Sequence, residues 1–242
     1  MKKVLSILLA VIMLLSLSMT SFAAEVPVAA GTNILVDDPQ YRIVESFGGG
    51  QRFVATFNKV DNTVSLVSYN TDNEILHHSV TDLNNSTVST LDEYGVATAA
   101  NSISKYTESL YAYIKTYGNP NEWELRRPEY LDEPSSTAFY FKTEETSVNE
   151  DDLTNFQTAV NSMYTLEGQL KSAIGTVNTL AVIAGASAGI GGPVGWGAAA
   201  AALIAALGFD NDAQNYAYQI EEQQIIAWDC YYEVYYNSDT YF

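Results

Sequence analysis

Short alternating segments characterise the first half of the chain. Residues 52–57 (RFVATF) alternate between two faces and are rich in residues that favour strands. Residues 63–69 and 74–80 have the same character, and Asn- and Asp-containing turns separate these segments. Because the spacing between them is short and regular, we predict an antiparallel β-meander over residues 41–83.

The pattern between residues 90 and 148 is mixed. Residues 106–117 contain four tyrosines and fit either a short helix or a strand. Trp123 and Leu125 indicate an extended segment, and residues 137–142 indicate a further strand.

The region at residues 149–242 begins with the spacing of helices. The Asn-Glu-Asp-Asp sequence at residues 149–152 suits a helix N-terminus. Apolar positions then recur at three- to four-residue steps, at Leu153, Phe156, Val160, Tyr164, Leu170 and Ile174. A later stripe includes Tyr216, Ile220 and Ala227. The aromatic tail at residues 228–242 fits two alternatives, contact with a membrane interface or a final strand. The strand is favoured by alternation at Cys230, Tyr232, Val234 and Tyr236.

One segment of this C-terminal part contains no charged residue. It covers 38 residues, 172–209, in a chain in which 17% of the residues are charged. Glycines and Pro193 near its centre predict a turn between two apolar helices, at residues 172–190 and 194–207. The prediction for the fold is therefore α+β: an antiparallel β-rich domain over residues 24–148, then a helical domain over residues 149–242 with a buried apolar Gly/Ala hairpin.

The predicted hairpin suits two different roles. Its arms of 19 and 14 residues would reach about 28 and 21 Å, so it could enter a bilayer but would span it marginally. A GxxxG pattern at residues 185–189 allows close helix contact, in lipid or in a soluble core. The alternative role is that of a protein core. The candidate insertion residues are Leu180, Ile183, Gly185, Gly189, Ile190, Gly192, Pro193, Trp196, Leu203 and Leu207.

The first 23 residues have the three parts of a secretory signal peptide. Two lysines precede an apolar stretch at residues 4–17, and Ser-Phe-Ala at residues 21–23 fits the small-x-small cleavage pattern. The apolar stretch is shorter than the roughly 20 residues of a membrane anchor. We therefore expect cleavage after Ala23 and a secreted, extracellular protein.

The charge of the expected mature chain excludes some partners. Cleavage removes two of the 11 basic residues and none of the 29 acidic ones, which leaves a net charge near −20. Nucleic acid is excluded because phosphate binding needs a basic surface. The single cysteine, Cys230, has no intramolecular partner for a disulfide, and its aromatic surroundings predict a buried thiol.

The sequence contains no recognisable catalytic or metal-binding pattern. His77 and His78 are the only histidines, and neighbours in a strand point to opposite faces. HExxH, CxxC and GxSxG motifs are absent, and the glycines at residues 48–50 lack a phosphate-loop frame and predict a strand connection. We therefore expect a protein that is not an enzyme and uses no cofactor or metal.

Two segments resemble a family of secreted proteins. The sequence at residues 52–56, followed by Asn62-Thr63-Val64 and Tyr69, resembles the N-terminal part of the large, unmodified geobacillin-type bacteriocins of Firmicutes. Residues 121–128 (NEWELRRP) resemble a segment of the same group. The resemblance implies a secreted protein that acts on related Gram-positive bacteria, although the acidic charge departs from the cationic character of small bacteriocins.

The sequence thus predicts an antibacterial protein that acts on target membranes through the hairpin. Pore-forming toxins with an apolar helical hairpin work on this principle. The expected partners are a target-cell membrane and an immunity protein in the producer. Insertion into the membrane is expected to require a receptor, proteolysis or acidification. The alternative is an extracellular binding or structural protein in which the hairpin is only core.

Overall fold

The computed structural model describes residues 31–92, 94–103, 111–128 and 140–237. Within these residues, strands occupy the N-terminal part and four helices the C-terminal part, so the α+β prediction is confirmed. The predicted signal peptide lies outside the described residues.

Seven strands form one antiparallel sheet in which each strand pairs with its neighbours along the chain. The predicted meander is confirmed for β2 to β5, and the sheet extends beyond it at both edges. Gly49 and Gly50 form the turn between β2 and β3 with φ of 58° and 73°, values that favour glycine. The strands are β1 (Thr32–Asp37), β2 (Tyr41–Gly48), β3 (Gln51–Asn58), β4 (Thr63–Tyr69), β5 (Ile75–Asp82), β6 (Thr87–Leu91) and β7 (Ala97–Ser102).

A second, three-stranded antiparallel sheet contains β8 (Ala112–Thr116), β9 (Glu122–Arg126) and β10 (Tyr140–Glu144), with β9 in the centre. Trp123 and Leu125 point to its buried face, as their alternation predicts. Residues 106–110 and 137–139, which the sequence analysis includes in its predicted elements, lie outside the described residues.

The four helices are α1 (Glu150–Ile174), α2 (Thr176–Ala188), α3 (Trp196–Ala206) and α4 (Asn211–Asn237). The two long helices, α1 and α4, pack along each other. Phe156 near the start of α1 meets Tyr231 near the end of α4, with ring centroids 6.3 Å apart, so the two helices run antiparallel.

Two details of the predicted helices are wrong. Tyr164 is 53% exposed, and Met163 takes its place in the buried stripe of α1 because the stripe keeps a regular three- and four-residue step from Val160. The predicted C-terminal strand is instead the last part of α4, which continues to Asn237. Its buried positions Ala227, Tyr231 and Val234 extend the helical spacing, whereas the alternation at residues 230–236 suits a strand only locally.

Both sheets and all four helices contribute to one continuous apolar core. The inner face of the seven-stranded sheet covers one side of α2 and α3, and α1 and α4 cover the other. We call the large sheet together with α1 and α4 the cover, because it separates α3 and most of α2 from solvent. A small separate cluster around Ile43, Val54 and Tyr69 lies elsewhere on the sheet.

Candidate functional site

The apolar hairpin exists, but its arms are shorter than predicted. The first arm is α2 with 13 residues and the second is α3 with 11. Gly175, with φ of 82° and ψ of 156°, breaks the helix, so residues 172–174 belong to α1 rather than to the hairpin. In the described part of the chain, no helix combines the length and apolar character needed to cross a membrane.

The structure brings the ten candidate insertion residues together inside the protein. Seven of them are buried, namely Ile183, Gly185, Gly189, Ile190, Pro193, Trp196 and Leu203. Leu180, Gly192 and Leu207 are half-buried. In α3 every residue from Trp196 to Ala206 is buried, which agrees with an apolar sequence on all sides of that helix.

The GxxxG glycines allow α2 to approach both α3 and the sheet. A Cβ atom on Gly185 would lie 3.1 Å from Leu203 Cδ1 in α3 and 3.2 Å from Thr81 Oγ1 in β5. A Cβ atom on Gly189 would lie 2.7 Å from Leu66 Cδ2 in β4, closer than side chains tolerate. In this fold the motif therefore serves close packing within the core.

Buried serines attach the hairpin to the sheet. Ser46 in β2 donates a hydrogen bond to the carbonyl oxygen of Ala198 in α3 at 2.5 Å. Ser79 in β5 donates to the carbonyl oxygen of Gly185 in α2 at 3.2 Å. Both serines are at most 1% exposed. Because water can replace such bonds when the surfaces separate, they contribute about 1 kcal/mol each to the covered arrangement.

Glu221 in α4 holds the start of α3. Its Oε1 accepts a hydrogen bond from the Gly195 N–H at 2.6 Å, and its Oε2 accepts one from the Gly197 N–H at 2.8 Å. The N-terminal N–H groups of a helix lack partners within the helix and attract negative charge. Glu221 therefore supplies from another element the cap that the sequence around Gly195 does not provide.

Two glutamates on the cover bind protons more tightly than usual. Burial raises the pKa of Glu221, although its hydrogen bonds from Gly195 and Gly197 lower it in part. Burial also raises the pKa of Glu167, in the apolar stripe of α1, to about 7. The folded protein thus favours the protonated form of each of these side chains more than water does.

The sequence did not predict which side chains hold the hairpin, namely the two buried serines and Glu221. The serines had a detectable signal, since Ser46 and Ser79 occupy strand positions that alternate with outward-facing ones. Glu221 had no such signal in the sequence. Its role arises only because the fold places α4 beside the N-terminus of α3.

Cys230 is buried, as predicted, and burial raises the pKa of its thiol to about 11. The two histidines lie side by side in β5, where His77 is opposite Ser68 and His78 opposite Val67.

Comparisons with known proteins add no relative. The chain matches no known family, no curated protein and no solved structure. The geometry of the hairpin and its cover therefore carries the argument for function.

Proposed function

We propose that this chain is a secreted antibacterial protein that acts on the membranes of related bacteria through the hairpin formed by α2 and α3. The observation that supports the proposal is that most of an uncharged helical hairpin lies within a cover made of one sheet and two amphipathic helices, although Val177 and Val194 remain exposed. A membrane-active segment must travel through water in such a cover, and the producer must then be protected by an immunity protein.

The composition of the hairpin supports release more than permanent burial. Alanine and glycine bury little apolar area per residue, so α3, which has five consecutive alanines at residues 198–202, gains less from burial than a Leu-rich helix would. The serine hydrogen bonds and the Glu221 cap compensate for this small area, and each can be exchanged for water.

The acidic side chains argue against acidification as the trigger. Glu221, which contacts the hairpin directly, has a raised pKa in the covered form and would regain an ordinary value once solvated. Protons therefore bind the covered form more tightly, and lowering the pH stabilises it. Of the three triggers expected from the sequence, receptor binding and proteolysis remain in this proposal.

A disulfide between the hairpin and the sheet tests release directly. An ideal Cβ on Gly185 lies 3.2 Å from Thr81 Oγ1. A cysteine sulfur in the place of that oxygen would be near enough to bond to a cysteine sulfur at position 185. The double variant Thr81→Cys/Gly185→Cys, made in a Cys230→Ala background, should oxidise to a locked form. We expect the locked form to be inactive and dithiothreitol to restore both growth inhibition and dye release from liposomes.

The background variant Cys230→Ala, oxidised and reduced in the same way, is the matched control and should be active in both states. Equal activity of the locked and reduced double variants would overturn hairpin release while sparing the antibacterial role. Growth inhibition of no strain in a panel of related Gram-positive bacteria would overturn the antibacterial role itself.

A charge at the hairpin turn gives a second test. Val194 is 51% exposed, so Val194→Asp should leave the fold intact, yet a carboxylate at the turn would oppose entry into lipid. Val60→Asp, in a turn of the sheet where the valine is 71% exposed, is the control. We expect Val194→Asp to lose liposome dye release and Val60→Asp to keep it. Ala200→Asp cannot discriminate, because Ala200 is fully buried and a charge there would unfold either kind of protein.

The second candidate function is an extracellular binding protein in which the hairpin is only core. The observation that favours it is that all ten candidate insertion residues are buried or half-buried in the folded chain. This candidate predicts that locked and reduced forms of the disulfide variant behave alike.

A further inference from the structure

We propose that a cavity beside the hairpin turn is a binding site for a neutral saccharide. This inference goes beyond the proposed function, because it concerns recognition of a soluble ligand and holds whether or not the hairpin enters a membrane.

The cavity has a volume of about 480 Å³ and forms where three parts of the fold meet. Gln51 at the start of β3 and His77 in β5 lie on one side, and Trp228 and Asp229 of α4 lie on another. The glycines and Pro193 of the hairpin turn complete it. This volume lies within the range of small-molecule sites.

The Asp229 carboxylate in the lining of the cavity favours a ligand that donates hydrogen bonds. Asp229 carries a carboxylate, which only accepts. Asp229 is exposed, so its carboxylate is open to a ligand in the cavity. A ligand hydroxyl that donates to this ionised carboxylate makes a charge-assisted hydrogen bond, which is stronger than one between neutral groups.

The apolar lining requires that the same ligand also present carbon–hydrogen surface. Trp228, Leu76 and Ile225 contribute to the cavity wall. A sugar ring combines hydroxyl groups that donate and accept with an apolar face that packs on an indole. A sugar ring therefore matches the polar and the apolar parts of the cavity lining with one rigid group.

Charge excludes the two main competitors. An organic cation would be attracted to Asp229 and to the indole ring, but the guanidinium of Arg127 already lies 5.5 Å from the centroid of the Trp228 ring. A second cation on that ring would be repelled by it. An anionic polymer would be repelled by Asp229 and by a chain with 29 acidic and 11 basic residues.

Nuclear magnetic resonance of the three indole N–H groups tests the proposal on the full mature protein. The probes are N-acetylglucosamine, maltose and cellobiose, with butylammonium chloride and glycerol phosphate as competitors. We expect at least one saccharide to shift the Trp228 signal saturably. The signals of Trp123 and Trp196, which are each 1% exposed and do not line the cavity, should stay in place.

Asp229→Asn keeps the shape of an exposed side chain and should weaken saccharide binding about tenfold. Asp212→Asn, in the first turn of the same helix and away from the cavity, should leave the affinity unchanged. Three results would each overturn the proposal: no shift of Trp228 with any saccharide at tens of millimolar, equal affinity in Asp229→Asn, or tighter binding of butylammonium or glycerol phosphate. Because the readout is binding, it is independent of growth inhibition and liposome leakage.

Discussion

The Glu221 carboxylate accepts the Gly197 N–H at 2.8 Å and fills the space where a Cβ of residue 197 would stand. A residue larger than glycine at position 197 would displace this carboxylate and press on Tyr218 as well. The cap of α3 therefore requires glycine, the residue without a Cβ, at position 197.

The substitution Gly197→Ala should destabilise the protein by about 1–3 kcal/mol, because overpacking outweighs the better helix propensity of alanine. Gly168→Ala is the matched control, since Gly168 lies within α1 and a Cβ there would meet no atom within 4 Å. It should stabilise by about 0.5–1 kcal/mol. Urea unfolding of both variants measures the two free energies, and a destabilised Gly168→Ala or an unaffected Gly197→Ala would contradict the role of the cap.

Glu167 should make stability depend on pH. Its pKa is about 7 in the folded protein, against an ordinary value of 4.5. Between these values the folded state holds a proton that the unfolded state releases, so the free energy of unfolding falls as pH rises from about 4.5 to 7. This side chain should contribute a loss of about 2 kcal/mol over that window.

The substitution Glu167→Gln should remove this part of the pH dependence and make the protein more stable than wild type at pH 8. Urea unfolding at pH 5, 6, 7 and 8 measures it. Glu222→Gln, at an exposed position of α4, controls for the general loss of one negative charge. If the two variants have the same pH profile, burial of Glu167 is not the cause.

Much of the architecture follows from local patterns. Alternation was sufficient for β2 to β4 because each of these strands places apolar residues on a buried face of one sheet, and in β5 the buried positions Ser79 and Thr81 keep the same two-residue step. The absence of charge identified the hairpin for a related reason, since helices enclosed on all sides cannot carry ionised groups.

Other features depend on tertiary contacts that no local pattern records. Gly175 ends a helix only because its backbone has a positive φ, and glycine is also tolerated inside helices. The tail alternates over residues 230–236 and also keeps the spacing of α4, so only packing of Tyr231 against Phe156 and Phe141 decides for a helix. The contacts that Glu221 and the buried serines make with the hairpin also depend on tertiary packing.

The guanidinium of Arg127 should be essential for stability, in contrast to that of its neighbour. Arg127 is 1% exposed and lies over the rings of Trp228, Tyr231 and Tyr232 at 5.5–5.6 Å, and it donates a hydrogen bond to the Pro128 carbonyl at 3.0 Å. A planar guanidinium can stack on several rings, and a lysine ammonium is more strongly hydrated and costs more to bury.

We therefore expect Arg127→Lys to lower the free energy of unfolding by about 2–4 kcal/mol and Arg126→Lys, at the exposed end of β9, to change it by less than about 0.5 kcal/mol. Urea unfolding followed by near-ultraviolet circular dichroism measures both free energies. Both variants keep the positive charge, so comparable losses would mean that stacking of Arg127 on the three rings is not the cause. A loss confined to Arg127→Lys would assign the effect to the packing of one buried cation among three aromatic rings.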